Sequence, residues 1–149
     1  MKPLRLGIVG IGNISGIYLK NLSAFEETEI VAVADLEEAR AQKAASECGV
    51  PKACSVQDLL ADPDVELVVN LTVPKAHYSV NRAALDAGKH VYAEKPFCSK
   101  REEALELVAM AKSKGLLTGG APDTFLGGSH QVCRGLIDSG VIGKVIGGH

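Results

Sequence analysis

The stretch Leu4–Val9 (LRLGIV), followed at once by Gly10-Ile11-Gly12-Asn13-Ile14-Ser15, decides the fold. The apolar run reads as a strand and the two spaced glycines as a sharp turn. Residues 13–22, with Ile14, Tyr18 and Leu22 one turn apart, read as a helix. A strand that turns directly into a helix opens a βαβ unit. Gly10 permits the tight turn, and Gly12 lets the backbone approach a ligand closely. Amides at the helix start near Asn13 and Ile14 carry the equivalent of roughly half a positive charge, which suits the phosphates of a dinucleotide. The third position of this fingerprint, usually Gly or Ala, is Ser15, still small enough for close helix–strand packing.

Outward from this point, strand-like and helix-like segments alternate. Glu29–Asp35 (EIVAVAD) reads as a second strand. Ala41, Ala44, Ala45 and Cys48 mark one face of the next helix, which stops at Gly49 with Pro51 beyond. A short third strand is expected at 51–54, then a helix capped by Ser55 that ends near Asp62-Pro63-Asp64. Val65–Leu71 (VELVVNL) is nearly continuously apolar, as a central parallel strand covered on both faces must be. A helix at about 75–87 ends at Gly88, and His90–Ala93 is the fifth strand. Ser99-x-x-Glu102 reads as a capping box. It opens a helix with Ala104, Leu107, Val108 and Ala111 on its face, Lys112 and Lys114 in its last turn and Gly115 past its end. Leu116–Gly120 is a sixth strand. The alternation predicts an α/β fold, a Rossmann-type doubly wound parallel sheet. After Gly120 the pattern changes to a loop, a helix at about 129–139 and a strand just beginning at Lys144–Ile146. Residues 1–122 therefore read as the sheet domain, and 123–149 as the connecting helix and first strand of a second, absent α+β domain.

With 149 residues there is room for one domain with a full core. An apolar content of 46% with 4% aromatics and no Trp fits an Ala/Val/Leu-rich α/β domain. The net charge of −2 offers no field for nucleic acid or an anionic membrane. The apolar runs are strand-sized, and Met1-Lys-Pro-Leu-Arg5 leads into the first strand with no signal-peptide core, so a cytoplasmic protein is expected. Cys48, Cys54, Cys98 and Cys133 form no C-x-x-C pair and have no His at zinc spacing. They read as free thiols, with no metal site.

Asp35 ends the second strand, where a carboxylate can accept both hydroxyls of an adenosine ribose. It can equally open a capping box with Glu38. A 2′-phosphate beside this carboxylate meets a repulsion of up to about 4 kcal/mol per charge pair at about 4 Å. Leu36 follows, and Arg40 lies more than a turn away, so NAD is expected in preference to NADP. Thr72-Val73-Pro74 leaves the fourth strand at the edge where such sheets bind ligands. There Thr72 can donate to a cofactor, Pro74 suits a first helical turn, and His77 is either a site residue or a solvated helix residue. Lys95, before Pro96, ends the fifth strand in the same crevice. A lysine there can exchange a proton with an alcohol or alkoxide oxygen and stabilise charge developing on it; alternatively it is a surface lysine beside Glu94.

Taken in order, these elements resemble the N-terminal domain of the glucose–fructose oxidoreductase / inositol dehydrogenase (Gfo/Idh/MocA) family. The resemblance rests on Gly10-x-Gly12-Asn13-Ile14-Ser15, Ala34-Asp35, Thr72-x-Pro74-x-x-His77 and Ala84-Leu-Asp-Ala-Gly-Lys-His-Val91 leading into Glu94-Lys95-Pro96. Leu136–Lys144 is similar to the family's connection into its second domain. The resemblance implies that Lys95 is the catalytic lysine and that Glu94 orders the cofactor side. It also implies that Thr72, Pro74 and His77 line the dinucleotide site and that the Lys95–Pro96 bond is cis. Substrates would be sugars, inositols or related polyols. Where many members carry an Asn/Tyr-x-Arg-Phe-like stretch, this chain has Pro122-Asp123-Thr124-Phe125 and lacks the Arg.

Two main readings follow. In the first, the chain is part of an NAD-dependent oxidoreductase whose longer form self-assembles through the second domain. On its own the 149-residue chain would then turn nothing over. In the second, it is a non-catalytic NAD-binding sensor or regulatory module, which leaves Lys95 without a purpose. A different Rossmann dehydrogenase shares the phosphate loop but has no reason to place Glu-Lys-Pro after the fifth strand.

Overall fold

The computed structural model describes residues 2–121 and 124–147. Six strands, β1 (Leu4–Val9), β2 (Thr28–Ala34), β3 (Lys52–Cys54), β4 (Leu67–Asn70), β5 (His90–Ala93) and β6 (Thr118–Gly120), form one sheet in the order β3-β2-β1-β4-β5-β6. Every neighbouring pair is parallel. The connections are the helices α1 (Ser15–Leu22), α2 (Glu38–Cys48), α3 (Val56–Ala61), α4 (Pro74–Asp86) and α5 (Arg101–Ser113). The chain winds outward from β1 to β3, then crosses back to β4 and winds the other way. The reversal of strand order therefore lies between β1 and β4, and the crevice for a ligand opens at the carboxyl ends of these two strands.

Two apolar layers hold the sheet. On one face Leu6, Ile8, Val33 and Val69 pack against Leu19 of α1 and Ala41, Ala44 and Ala45 of α2. On the other, Val9, Val68 and Val91 pack against Leu59 of α3, Ala84 and Leu85 of α4, and Leu107 and Ala111 of α5. Burying a Leu such as Leu85 or Leu107 contributes about 1.5–3 kcal/mol. Small alanines on α2 let its backbone approach the sheet closely, and Gly49, at φ 69°, closes that helix through its amide to Ala45 O.

Several local expectations need correction. α1 buries Ser15 and Leu19, while Ile14 is exposed, because the helix begins two residues later than its apolar spacing suggests. Cys48 and Val108 also face solvent; Val50 and Met110 supply apolar contact near those two places. Neither proposed capping box forms. Glu37 is the N-cap of α2 and Lys100 that of α5, neither with a side-chain cap bond; Ser99 Oγ donates instead to Pro74 O at 3.3 Å. Ser55 does cap α3, accepting from the Asp58 amide at 3.1 Å. Beyond β6, a 3-10 turn (Thr124–Leu126) leads into α6 (Gly128–Asp138), and no described residue of 124–147 is buried. Lys144–Ile146 is no strand: among the described residues no neighbouring strand offers it a ladder, and an unpaired segment gains nothing from extended geometry. Met1, Pro122, Asp123, Gly148 and His149 lie outside the described residues, so the readings placed on them stand as sequence expectations.

Candidate functional site

The glycine turn is built by close backbone approach. Gly10 adopts φ 98°, and a Cβ there would stand 2.8 Å from Leu71 C and Thr72 N and 2.9 Å from Leu71 O. Only glycine lets the end of β1 lie against the end of β4 in this way. At Gly12 nothing lies within 4 Å of the Cβ position, so the loop faces open space. Ser15 is buried; its hydroxyl donates to Gly12 O at 2.7 Å and its amide to the same oxygen at 3.1 Å. That bond satisfies the hydroxyl and shows how serine serves where the fingerprint usually has Gly or Ala. Among the described residues, no hydrogen bond engages the amides of Gly12, Asn13 or Ile14. They are exposed donors at the positive end of α1.

Asp35 reaches the same turn. One carboxylate oxygen accepts the Ile11 amide at 2.6 Å and the other accepts the Glu37 amide at 2.9 Å. A carboxylate has about four lone-pair positions, so two remain to accept hydroxyls. Beside it lies a cavity of ≈ 570 Å³ whose lining includes Gly10, Gly12, Asp35, Leu36, Thr72 and Val73. Glu37, Glu38 and Arg40 stand at the same end, and Arg40 Nη2 is held by Glu37 Oε1 at 2.7 Å. A smaller hollow of ≈ 170 Å³ between α2 and α3 contains none of the sequence-predicted site residues.

The second half of the site sits at the end of β5, two strands from β1 across β4, or about 10 Å at the usual strand spacing. Glu94 is half-buried; its Oε1 accepts the Tyr18 hydroxyl at 2.7 Å and its Oε2 accepts the Lys95 amide at 2.8 Å. The Lys95–Pro96 peptide bond is cis. Lys95 is exposed, and among the described residues its ammonium makes no ion pair or hydrogen bond. Neither Glu94 nor Lys95 lines the cavity, so the structure brings Gly10, Gly12, Asp35 and Thr72 together around it and leaves the Glu-Lys pair outside its lining.

His77 is neither solvated nor in the cavity wall. It is 1% exposed, with Nδ1 2.6 Å from Pro96 O and Nε2 2.9 Å from Thr72 O. Pro74 is the first residue of α4 and likewise does not line the cavity. Sequence reasoning missed Tyr18 as a site residue, and it missed the buried pair Asn70 and Asn81. An Asn at the end of an otherwise apolar central strand was the available signal for Asn70.

A parallel sheet with reversed winding, a glycine turn with unpaired amides and an acid at the end of β2 define a dinucleotide-binding Rossmann domain. Residues 4–119 match the family described as "Oxidoreductase family, NAD-binding Rossmann fold", and the chain belongs to this Gfo/Idh/MocA family. It is 34% identical over 145 residues to a dTDP-3,4-didehydro-2,6-dideoxy-alpha-D-glucose 3-reductase of Saccharopolyspora spinosa, covering 97% of this chain and 44% of the relative. It is also 34% identical to an inositol 2-dehydrogenase/D-chiro-inositol 3-dehydrogenase of Lactiplantibacillus plantarum, over 94% of this chain and 41% of that one. Among solved structures, a 3-ketoreductase of Actinomadura kijaniata, KijD10, in complex with NADP and TDP-benzene superimposes with a TM-score of 0.90 at 32% identity. That match covers 96% of this chain and 44% of KijD10. The chain thus spans less than half the length of these relatives. Among the described residues no helix is long and apolar enough to cross a membrane.

Proposed function

We propose that this chain is the nucleotide-binding part of a cytoplasmic NAD-dependent oxidoreductase acting on the carbinol carbon of a sugar, inositol or related polyol. The observation that carries it is the joining of the two halves of the site by the Tyr18–Glu94 hydrogen bond. It ties the helix after the glycine turn to the peptide bearing Lys95. When bound, the nicotinamide cofactor supplies or accepts the hydride. The Gly12, Asn13 and Ile14 amides hold its phosphates, Asp35 accepts its ribose hydroxyls, and Thr72 and Glu94 order the chain toward Lys95. As the amine, Lys95 takes the proton from an alcohol being oxidised; as the ammonium, it returns that proton to an alkoxide, whose charge it stabilises until transfer.

NAD is proposed over NADP because Asp35, Glu37 and Glu38 crowd one end of the cavity and Arg40 is already paired with Glu37. KijD10 holds NADP, so family membership alone does not carry this choice. The exposed apolar residues Val132, Leu136 and Ile137 of α6 suit the reading of residues 123–149 as the connection into a substrate domain, through which the longer form self-assembles. Calorimetric titration of this chain with NAD and NADP in parallel is the test. Tighter binding of NAD is the expected result, with no polyol oxidation by the chain alone. Failure of both nucleotides to bind would overturn the reading, and tighter NADP binding would overturn the choice of cofactor.

A further inference from the structure

Three polar side chains are buried where the second halves of β4 and β5 meet α4. Asn70 and Asn81 are each 0% exposed and His77 is 1% exposed. Burying such groups among apolar neighbours is costly unless their hydrogen bonds are made, and apolar residues of similar volume would fill the space without that cost. Their bonds have a common destination. Asn70 Oδ1 accepts the Thr72 amide at 3.1 Å and the Thr72 hydroxyl at 2.6 Å, and Asn70 Nδ2 donates to Asn81 Oδ1 at 2.8 Å and to His77 O at 3.2 Å. Asn81 Nδ2 donates to Phe97 O at 3.2 Å. The His77 ring sits between Thr72 O and Pro96 O. On one side the network ends on Thr72, which lines the cavity; on the other it ends on Pro96 and Phe97, the two residues after Lys95. The Glu94 amide, just before Lys95, donates to Asn70 O at 2.9 Å. Lys95 is therefore bracketed on both sides by backbone anchored to this network.

Resting on the cofactor reading above, we propose that His77 is a positioning residue. Its ring spans the loop carrying Thr72 and the peptide carrying Lys95, and so sets Lys95 against the nicotinamide end of the cofactor, with Asn70 and Asn81 completing the clamp. Both ring nitrogens face backbone carbonyls, so an N–H on either one donates to the loop of Thr72 or to the peptide of Pro96, and a phenyl ring in its place carries no donor for either. The Asp35 end lies on the far side of β1 and is untouched by these bonds.

The test is titration of the unaltered chain, His77→Phe and His77→Gln with NAD and with AMP. AMP reports the cavity end, which Asp35 and Thr72 line, and does not reach for Lys95. Loss of the clamp is expected to weaken NAD binding by about tenfold, the equivalent of about 1.4 kcal/mol, and AMP binding by clearly less. His77→Gln, which keeps one donor, should fall between. Equal losses of NAD and AMP binding, or no loss of either, would overturn the clamp and leave the cofactor reading standing. Failure of the unaltered chain to bind NAD would overturn both. Should His77→Phe not fold, the His77 ring resonances of the unaltered chain give the second measurement. They should shift more on addition of NAD than of AMP, and indifference to NAD would overturn the proposal.

Discussion

The Tyr18 hydroxyl donates to Glu94 Oε1 at 2.7 Å across 76 positions of sequence. Tyr18 lies in the helix that follows the glycine turn, and Glu94 directly follows β5, so the bond spans the crevice over β4. Both ends lie at the carboxyl edge of the sheet, as they must if one extended nucleotide is to run from the turn to Lys95. The second carboxylate oxygen of Glu94 accepts the Lys95 amide, so the same group fixes the start of the Lys95 peptide.

Tyr18→Phe removes this hydroxyl and keeps the ring. A hydrogen bond to a charged acceptor contributes about 1.5–3 kcal/mol, and partial exposure puts the expected loss at the lower end of that range. Urea unfolding should show a lower midpoint with an unchanged slope. A midpoint equal to that of the parent would mean that the bond is not formed in solution.

Gly10 and Gly12 should part company under the same substitution. Gly10→Ala forces a Cβ to 2.8 Å from the Leu71–Thr72 backbone at φ 98°, where neither side can yield without displacing β4. The left-handed conformation alone costs about 1–3 kcal/mol, and the clash adds to it. Gly12→Ala meets nothing within 4 Å and should leave the melting temperature nearly unchanged. Its methyl group instead occupies the space proposed for the phosphates, so NAD affinity should drop. A calorimetric and thermal-melt pair on both variants separates the two effects.

Asp35→Asn preserves an oxygen that can accept the Ile11 amide and removes the charge. NAD affinity should fall about tenfold or less, since a hydrogen bond to a neutral acceptor replaces a charged one, while NADP affinity holds or improves. Asp35→Ala additionally loses the Ile11 and Glu37 bonds. It should lower stability by about 1–2 kcal/mol. An unchanged NAD:NADP preference in both variants would contradict the proposed ribose contact.

Acid should destabilise the fold through three carboxylates held below their ordinary pKa. For Glu66 the cause is the bond from the Arg5 amide and then its guanidinium; for Asp62 it is the bond from Lys52; for Asp86 it is the bond from Lys114. Each binds fewer protons in the folded than in the unfolded chain, so its contribution is complete above the ordinary carboxylate range and is lost as pH falls through it. Denaturation profiles should therefore be flat near neutrality and decline below about pH 4. Asp62→Asn should lower stability at neutral pH and make the acid decline shallower.

How much was legible from the chain follows from the range of the interactions involved. Strand and helix types depend on spacing between near neighbours, and β1 through β6 all lie where apolar runs and glycine stops put them. The doubly wound parallel sheet follows from the alternation of strands and helices with right-handed crossovers. The ends of elements were less legible. Ser99 and Asp35 both matched a local capping pattern, yet Ser99 bonds Pro74 O and Asp35 bonds the Ile11 amide, because those partners are brought up by distant segments. Lys144–Ile146 has strand-like composition and, among the described residues, no strand beside it, so composition had nothing to act on.

At the site, the residue types of the glycine turn, Asp35 and Glu94-Lys95-Pro96 were readable because each works through its own backbone geometry or charge. Only the tertiary structure decided that His77 is buried between Thr72 O and Pro96 O, that Asn70 and Asn81 join it, and that Tyr18 reaches Glu94. These are contacts between segments that lie far apart along the chain or depend on how α4 seats against the ends of β4 and β5. A side chain's hydrogen-bond partner across such a gap is selected by packing, and packing leaves no periodic mark in the order of the residues.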